Sequence, residues 1–153
     1  MKKIIFSAVL ISFFISCKKE SKDHQLQLEK NTIKKVNTPE CYLGVIKKDS
    51  VLMHLNFEGN QLISGNLIYN FYEKDKNEGS IVGQLKGDTL FADYTFTSEG
   101  VLSVREVVFL KEGNNYIEGF GETVDDNKGK VKFKDKKKLM FDGKLVLAKT
   151  ACK

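Results

Sequence analysis

Arg105 is the single arginine of this chain, whose other 24 basic side chains are lysines. A planar guanidinium fork grips a carboxylate as a point-charge ammonium does not, so Arg105 suits an acid partner or an anionic ligand. Its neighbour Glu106 stands in the run Val104, Arg105, Glu106, Val107, Val108, Phe109. A carboxylate on an apolar face needs a partner or a raised pKa. The turn Ser98-Glu99-Gly100, read as a three-residue loop with glycine in the left-handed position, decides which side chain faces which way. It pairs Thr97 with Val101, and hence Phe96 with Leu102, Tyr94 with Val104, Ala92 with Glu106 and Leu90 with Val108. This register predicts an outward ion pair between Asp93 and Arg105. It turns Glu106 inward, toward the interior tyrosines Tyr69 and Tyr94, and these three are the candidate ligand-binding residues. Phe91, Val107 and Phe109 then fall outside as a candidate protein-contact patch.

Other chemistries find little support. His54 alternates onto the polar side of its strand and His24 lies in a polar stretch, neither with a second ligand at zinc or copper spacing. Two segments spell Asp-x-Asn-x-Gly, at 75–79 and 125–129. Each has glycine where a calcium loop needs a further oxygen, so turn chemistry accounts for them. Glu118 and Glu122, four apart on a strand, share a face at about 13 Å, wider than a glycosidase pair. Ser103 and His54 have no hydrolase signature around them. No cofactor motif is present, and the expected role is non-catalytic. Net charge is +5, and the lysines are interleaved with acids. Nucleic-acid binding requires a clustered basic face, and the densest run, Lys136-Lys137-Lys138 beside Asp135, reads as a solvated turn.

These residues must be positioned by strands. From Cys41 onward the apolar period is two, with turn residues between the runs. Val51, Met53, Leu55 and Phe57 form one face; Ile63, Leu67, Tyr69 and Phe71 the next; then Ile81, Gly83 and Leu85, and Leu90, Ala92, Tyr94 and Phe96. Turns are expected at 58–60, 87–88, 98–100, 112–114 and 142–143. Gly87-Asp88 as a two-residue loop sets Leu85 opposite Leu90. The fold expected is all-β: an antiparallel meander of eight to ten strands closing into a barrel, with a β-sandwich as the alternative.

The chain begins differently. Lys2 and Lys3 precede thirteen uncharged, mostly apolar residues, Ile4 to Ser16, and then Cys17. As a helix these would rise about 20 Å, short of a hydrocarbon core of roughly 30 Å. That favours a cleaved secretory signal over a span. The ending Phe14-Ile15-Ser16-Cys17 resembles the lipobox of bacterial lipoproteins, although leucine is commonest in that family where Phe14 stands. The resemblance implies that the Cys17 thiol takes a diacylglycerol, that cleavage precedes Cys17, and that the new amine is acylated. It also implies a lipid-anchored protein of the cell envelope, on the periplasmic face or the cell surface. Residues 1–16 are then signal peptide, 17–40 the lipidated cysteine and a flexible tether reaching roughly 25 Å, and 41–153 the barrel domain. Losing Lys2 and Lys3 lowers the net charge from +5 to +3.

With Cys17 lipidated, Cys41 and Cys152 are left to pair, and export permits a disulfide between them. The domain loosely resembles the small lipoprotein barrels of bacterial envelopes, lipocalin-like or copper-stress. It lacks tryptophan, and so the Gly-x-Trp of lipocalins, and it lacks the paired-cysteine motif of the copper-stress family. The expected function is binding of a small or apolar ligand inside the barrel. The alternative is a structural or protein-interaction module of the envelope.

Overall fold

The computed structural model describes residues 38–152. The expected signal peptide, Cys17 and nearly all of the expected tether lie outside the described residues. Ten strands run in chain order: β1 (Glu40–Ile46), β2 (Asp49–Glu58), β3 (Gln61–Asn70), β4 (Asn77–Lys86), β5 (Thr89–Ser98), β6 (Val101–Glu112), β7 (Asn115–Glu118), β8 (Thr123–Asp125), β9 (Lys130–Phe133) and β10 (Val146–Thr150). Eight of them form a closed antiparallel barrel in the order β5-β4-β3-β2-β1-β10-β7-β6, with β6 pairing back to β5. Strands β8 and β9 are additional. The first and last strands are neighbours, Cys41 opposite Thr150, as a meander that closes requires. Cys41 and Cys152 are disulfide-bonded, with Cα atoms 5.2 Å apart.

The alternating side chains fill the barrel. Val51, Met53, Leu55 and Phe57 of β2, Ile81 of β4, and Leu90, Ala92 and Tyr94 of β5 are all buried inward, joined by Tyr42, Phe109, Tyr116 and Leu147. Inward glycines make room for the larger residues. A Cβ on Gly79 would overlap the Thr95 carbonyl, and one on Gly44 would come within 2.7 Å of Leu145 Cδ1. In β3 a bulge between Leu62 and Asn66 shifts the alternation. Leu62 is therefore the buried residue, and Ile63, expected inside, is 42% exposed.

Five hairpins close on two-residue turns, Ile46 facing Asp49, Glu58 facing Gln61, Lys86 facing Thr89, Ser98 facing Val101 and Glu112 facing Asn115. Gly87-Asp88 thus pairs Leu85 with Leu90, as expected. The loop after β5 is one residue shorter than the three-residue reading. Glu99 (φ 50°) and Gly100 (φ 79°) are both left-handed, the pattern of a type I′ turn, which matches the twist of the flanking strands. A left-handed glutamate costs about 1–2 kcal/mol. Full burial of Val107 and Phe109, worth roughly 1.5–3 kcal/mol each, exceeds that cost.

This one-residue difference turns every side chain of β6 over. Asp93 now faces Glu106, and Tyr94 faces Arg105. The expected Asp93–Arg105 pair is absent: Asp93 binds Lys130 Nζ at 2.6 and 2.7 Å, while Arg105 points into the barrel. Glu106, expected inside, lies on the outer side of the barrel wall. Val107 and Phe109 are interior, so the proposed contact patch dissolves, leaving Phe91 half-buried beneath Lys136.

The outer side of β6 is not left to water. Strand β7 covers β6 only from Phe109 to Glu112, and the chain then departs on an excursion over residues 119–145 before returning as β10. Within it β9 adds to β6 in parallel at Val104 and Arg105, and Phe120 bridges Met140. The excursion buries Val108 to 0% exposure. It is held to the wall by the Lys130–Asp93 pair and by Glu106, which accepts from Phe133 N at 2.9 Å and Lys136 Nζ at 2.7 Å. Lys136-Lys137-Lys138 is one 3-10 turn capped by Asp135, with all three lysines exposed, the solvated turn expected. The second Asp-x-Asn-x-Gly segment is the β8–β9 turn, where Asp125 Oδ1 accepts from Asn127 N. In the first, Asn77 and Gly79 belong to β4.

Candidate functional site

The two ends of the barrel differ. Around the disulfide, where the β2–β3, β4–β5 and β6–β7 turns lie, Tyr42, Phe57, Leu62, Leu90 and Tyr116 fill the interior. Toward the other end, where β1 turns into β2 and β3 into β4, the interior opens into a cavity of about 400 Å³. That is at the small end of the range usual for small-molecule sites, about 300–1,000 Å³. Its walls are mainly apolar. The barrel side contributes Ile46, Val51, Phe71 and Val107, and the excursion adds Phe120, Val131, Phe133 and Leu145.

Three polar side chains converge within these walls: Arg105 from β6, Glu118 from β7 and Tyr69 from β3. Glu118 is 8% exposed, and its Oε1 accepts the Tyr69 hydroxyl at 2.6 Å. Burial pushes the Glu118 carboxyl up from its ordinary value, against the opposing influence of the Tyr69 hydrogen bond and the Arg105 charge. Burial, and then the Glu118 carboxylate, push the Tyr69 phenol well above 10.0, so it stays a donor. The Arg105 guanidinium lies 5.0 Å from the Tyr69 ring and 5.5 Å from those of Tyr94 and Phe96, within cation–π range. Tyr94 stacks on Phe96 at 4.6 Å and meets Tyr69 edge-on at 5.8 Å. Burial holds the Tyr94 phenol at about 12. Arg105 Nε is buried and has no hydrogen-bond partner, and among the described residues no ion pair engages the guanidinium.

Of the residues expected to form the site, Tyr69 and Tyr94 are brought together inside. Glu106 lines the cavity's edge from the excursion side, 14% exposed and engaged by Lys136 and Phe133 N. Burial opposes its ionisation, but those hydrogen bonds and the lysine charges hold its carboxyl below 4.5. The interior acid is Glu118, which the sequence reading left unassigned. Its signal was the alternation Tyr116, Glu118: an aromatic core residue carries the acid two positions on to the same face. Among the described residues no group of three or more histidine, cysteine or acidic side chains is arranged to hold a metal ion.

Compared with protein-family models, with curated proteins and with solved structures, the chain has no significant match.

Proposed function

We propose that this protein is a lipid-anchored component of the bacterial cell envelope, whose barrel binds a small, largely apolar molecule without transforming it. The cavity of about 400 Å³, apolar in its walls and polar at one cluster, is the observation that carries the binding part. A barrel that served only as a rigid module would gain stability from filling that space, since cavities cost stability. The anchoring part rests on Lys2, Lys3, the apolar run to Ser16, and Cys17. In this reading Cys17 is the mature N-terminus and carries the acyl chains, including palmitate. The tether joins the barrel at Glu40, at the end opposite the cavity. The ligand then enters from the side facing away from the attachment point.

Untargeted mass spectrometry of small molecules retained by the purified mature chain tests the binding. A stoichiometric ligand absent from a boiled control is the expected result. No retained molecule, together with no binding across a panel of apolar probes, would overturn it. For the anchor, Cys17→Ser should leave an unprocessed precursor that a fatty-acid analogue no longer labels. Normal cleavage and labelling of that variant would sink the assignment.

A further inference from the structure

We propose that the ligand of the barrel is a monocarboxylate with an apolar tail, its carboxylate held by the Arg105 fork. This rests on the reading of the barrel as a binding protein and specifies what it binds. The Arg105 guanidinium interacts with the Tyr69 hydroxyl, but its Nε–H is buried without an acceptor, which is costly. None of the nearby acids forms an ion pair with Arg105, although Glu118 feels its charge across the cavity. Glu118 takes the Tyr69 hydroxyl, Glu106 takes Lys136 and Phe133 N, and Asp49 at the mouth accepts from Tyr72 N at 2.8 Å. The three flanking rings hold the guanidinium in place, so ordering it for a ligand costs little further entropy.

The charge type follows from the lining. Arg105 is the one basic side chain among the residues around the cavity, and no lysine joins it. A dianion such as a phosphate monoester would carry a second charge without a cation, close to Glu118. A carboxylate brings one charge and a planar pair of oxygens that suits the fork. The walls are mainly apolar and accommodate a hydrocarbon tail, with Asp49, Ser50, Glu106 and Thr123 the other polar side chains of the lining.

Because Arg105 is the single arginine, a ¹⁵N-labelled chain gives one arginine Nε–H signal, which reports directly on the site. The mature chain from residue 17 onward, in unlipidated form and free of detergent, is titrated with decanoate and with decanol. Decanoate should move the Nε–H signal and bind at least tenfold more tightly than decanol, equivalent to about 1.4 kcal/mol. Arg105→Met should lose that preference while still binding decanol, which also certifies that the variant is folded. If Arg105→Met fails to fold, the neutral polar variant Arg105→Gln serves in its place. Equal binding of the two probes, or saturation by decanoate with the Nε–H signal unmoved, would overturn the carboxylate assignment and leave the binding barrel standing. Failure of both probes to bind would overturn both readings.

Discussion

Glu106 is expected to pin the excursion to the barrel wall, and truncating it should loosen that segment more than the barrel. Glu106→Ala removes the acceptor of the Phe133 N–H and the partner of Lys136. A hydrogen bond to a charged group contributes about 1.5–3 kcal/mol. The Lys136 pair, with the lysine side chain 49% exposed, adds only about 0.2–1 kcal/mol after solvent screening. Together these give about 2–4 kcal/mol. Local opening of residues 130–134 should then become roughly thirty- to a thousandfold more frequent. Amide hydrogen exchange is the assay, with Phe133 and Lys134 as reporters and the buried strands β2 and β5 as the internal reference. Glu106→Gln keeps an oxygen for the Phe133 N–H and loses only the charge, so its effect should be fivefold or less. The acid dependence follows from the sign of the shift. The folded carboxyl lies below 4.5, so its stabilisation is complete above the unfolded pKa and fades as pH falls through the folded value. The difference between wild type and Glu106→Ala should therefore narrow in acid. Unchanged exchange at Phe133 and Lys134 in the alanine variant, or equal effects of alanine and glutamine, would refute the pinning role.

Glu118 has the opposite sign. Burial raises its carboxyl above 4.5, so the folded state loses stability as pH climbs from the unfolded pKa through the folded one. Glu118→Gln retains an oxygen for the Tyr69 hydroxyl and should match or exceed wild-type stability at pH 7. At pH 4 the two should be alike in urea melts, and a neutral-pH loss beyond about 1 kcal/mol would count against a costly buried charge. The Cys41–Cys152 bond closes a loop spanning 111 positions, worth roughly 4–5 kcal/mol in the chain-entropy model. Reduction should lower the thermal midpoint by many degrees, and two free thiols in the unfolded, unreduced chain would disprove the bond.

The barrel was legible because its inward faces alternate over several strands in succession. Val51 to Phe57 and Leu90 to Phe96 each show the period of two that one buried and one wetted face produce. The Gly87-Asp88 turn was legible for a similarly local reason. Cysteines bracketing the alternating region anticipated the neighbouring ends. The register of β6 was not legible. From Val107 to Leu110 it is apolar at every position, because its inner face packs in the barrel and its outer face lies under the excursion. With both faces covered the alternation vanishes, and Gly100 alone was then allowed to set the loop length. Ile63 failed for a related reason, since a bulge slips the phase by one where no local residue type announces it.

By itself, then, the chain determined that strands form, roughly where they turn, that they close, and which residues travel together on a face. Those properties depend on neighbours a few positions away. Whether Arg105 or Glu106 looks inward was decided only by tertiary structure. That choice depended on a segment near residue 130 folding back to cover β6, and on a glutamate accepting a left-handed turn so that Val107 and Phe109 could be buried. The same long-range decision left an arginine, a tyrosine and a glutamate together inside an apolar cavity. A difference of one residue in a loop separates a surface ion pair from an interior polar cluster, because a strand has only two faces and every slip exchanges them.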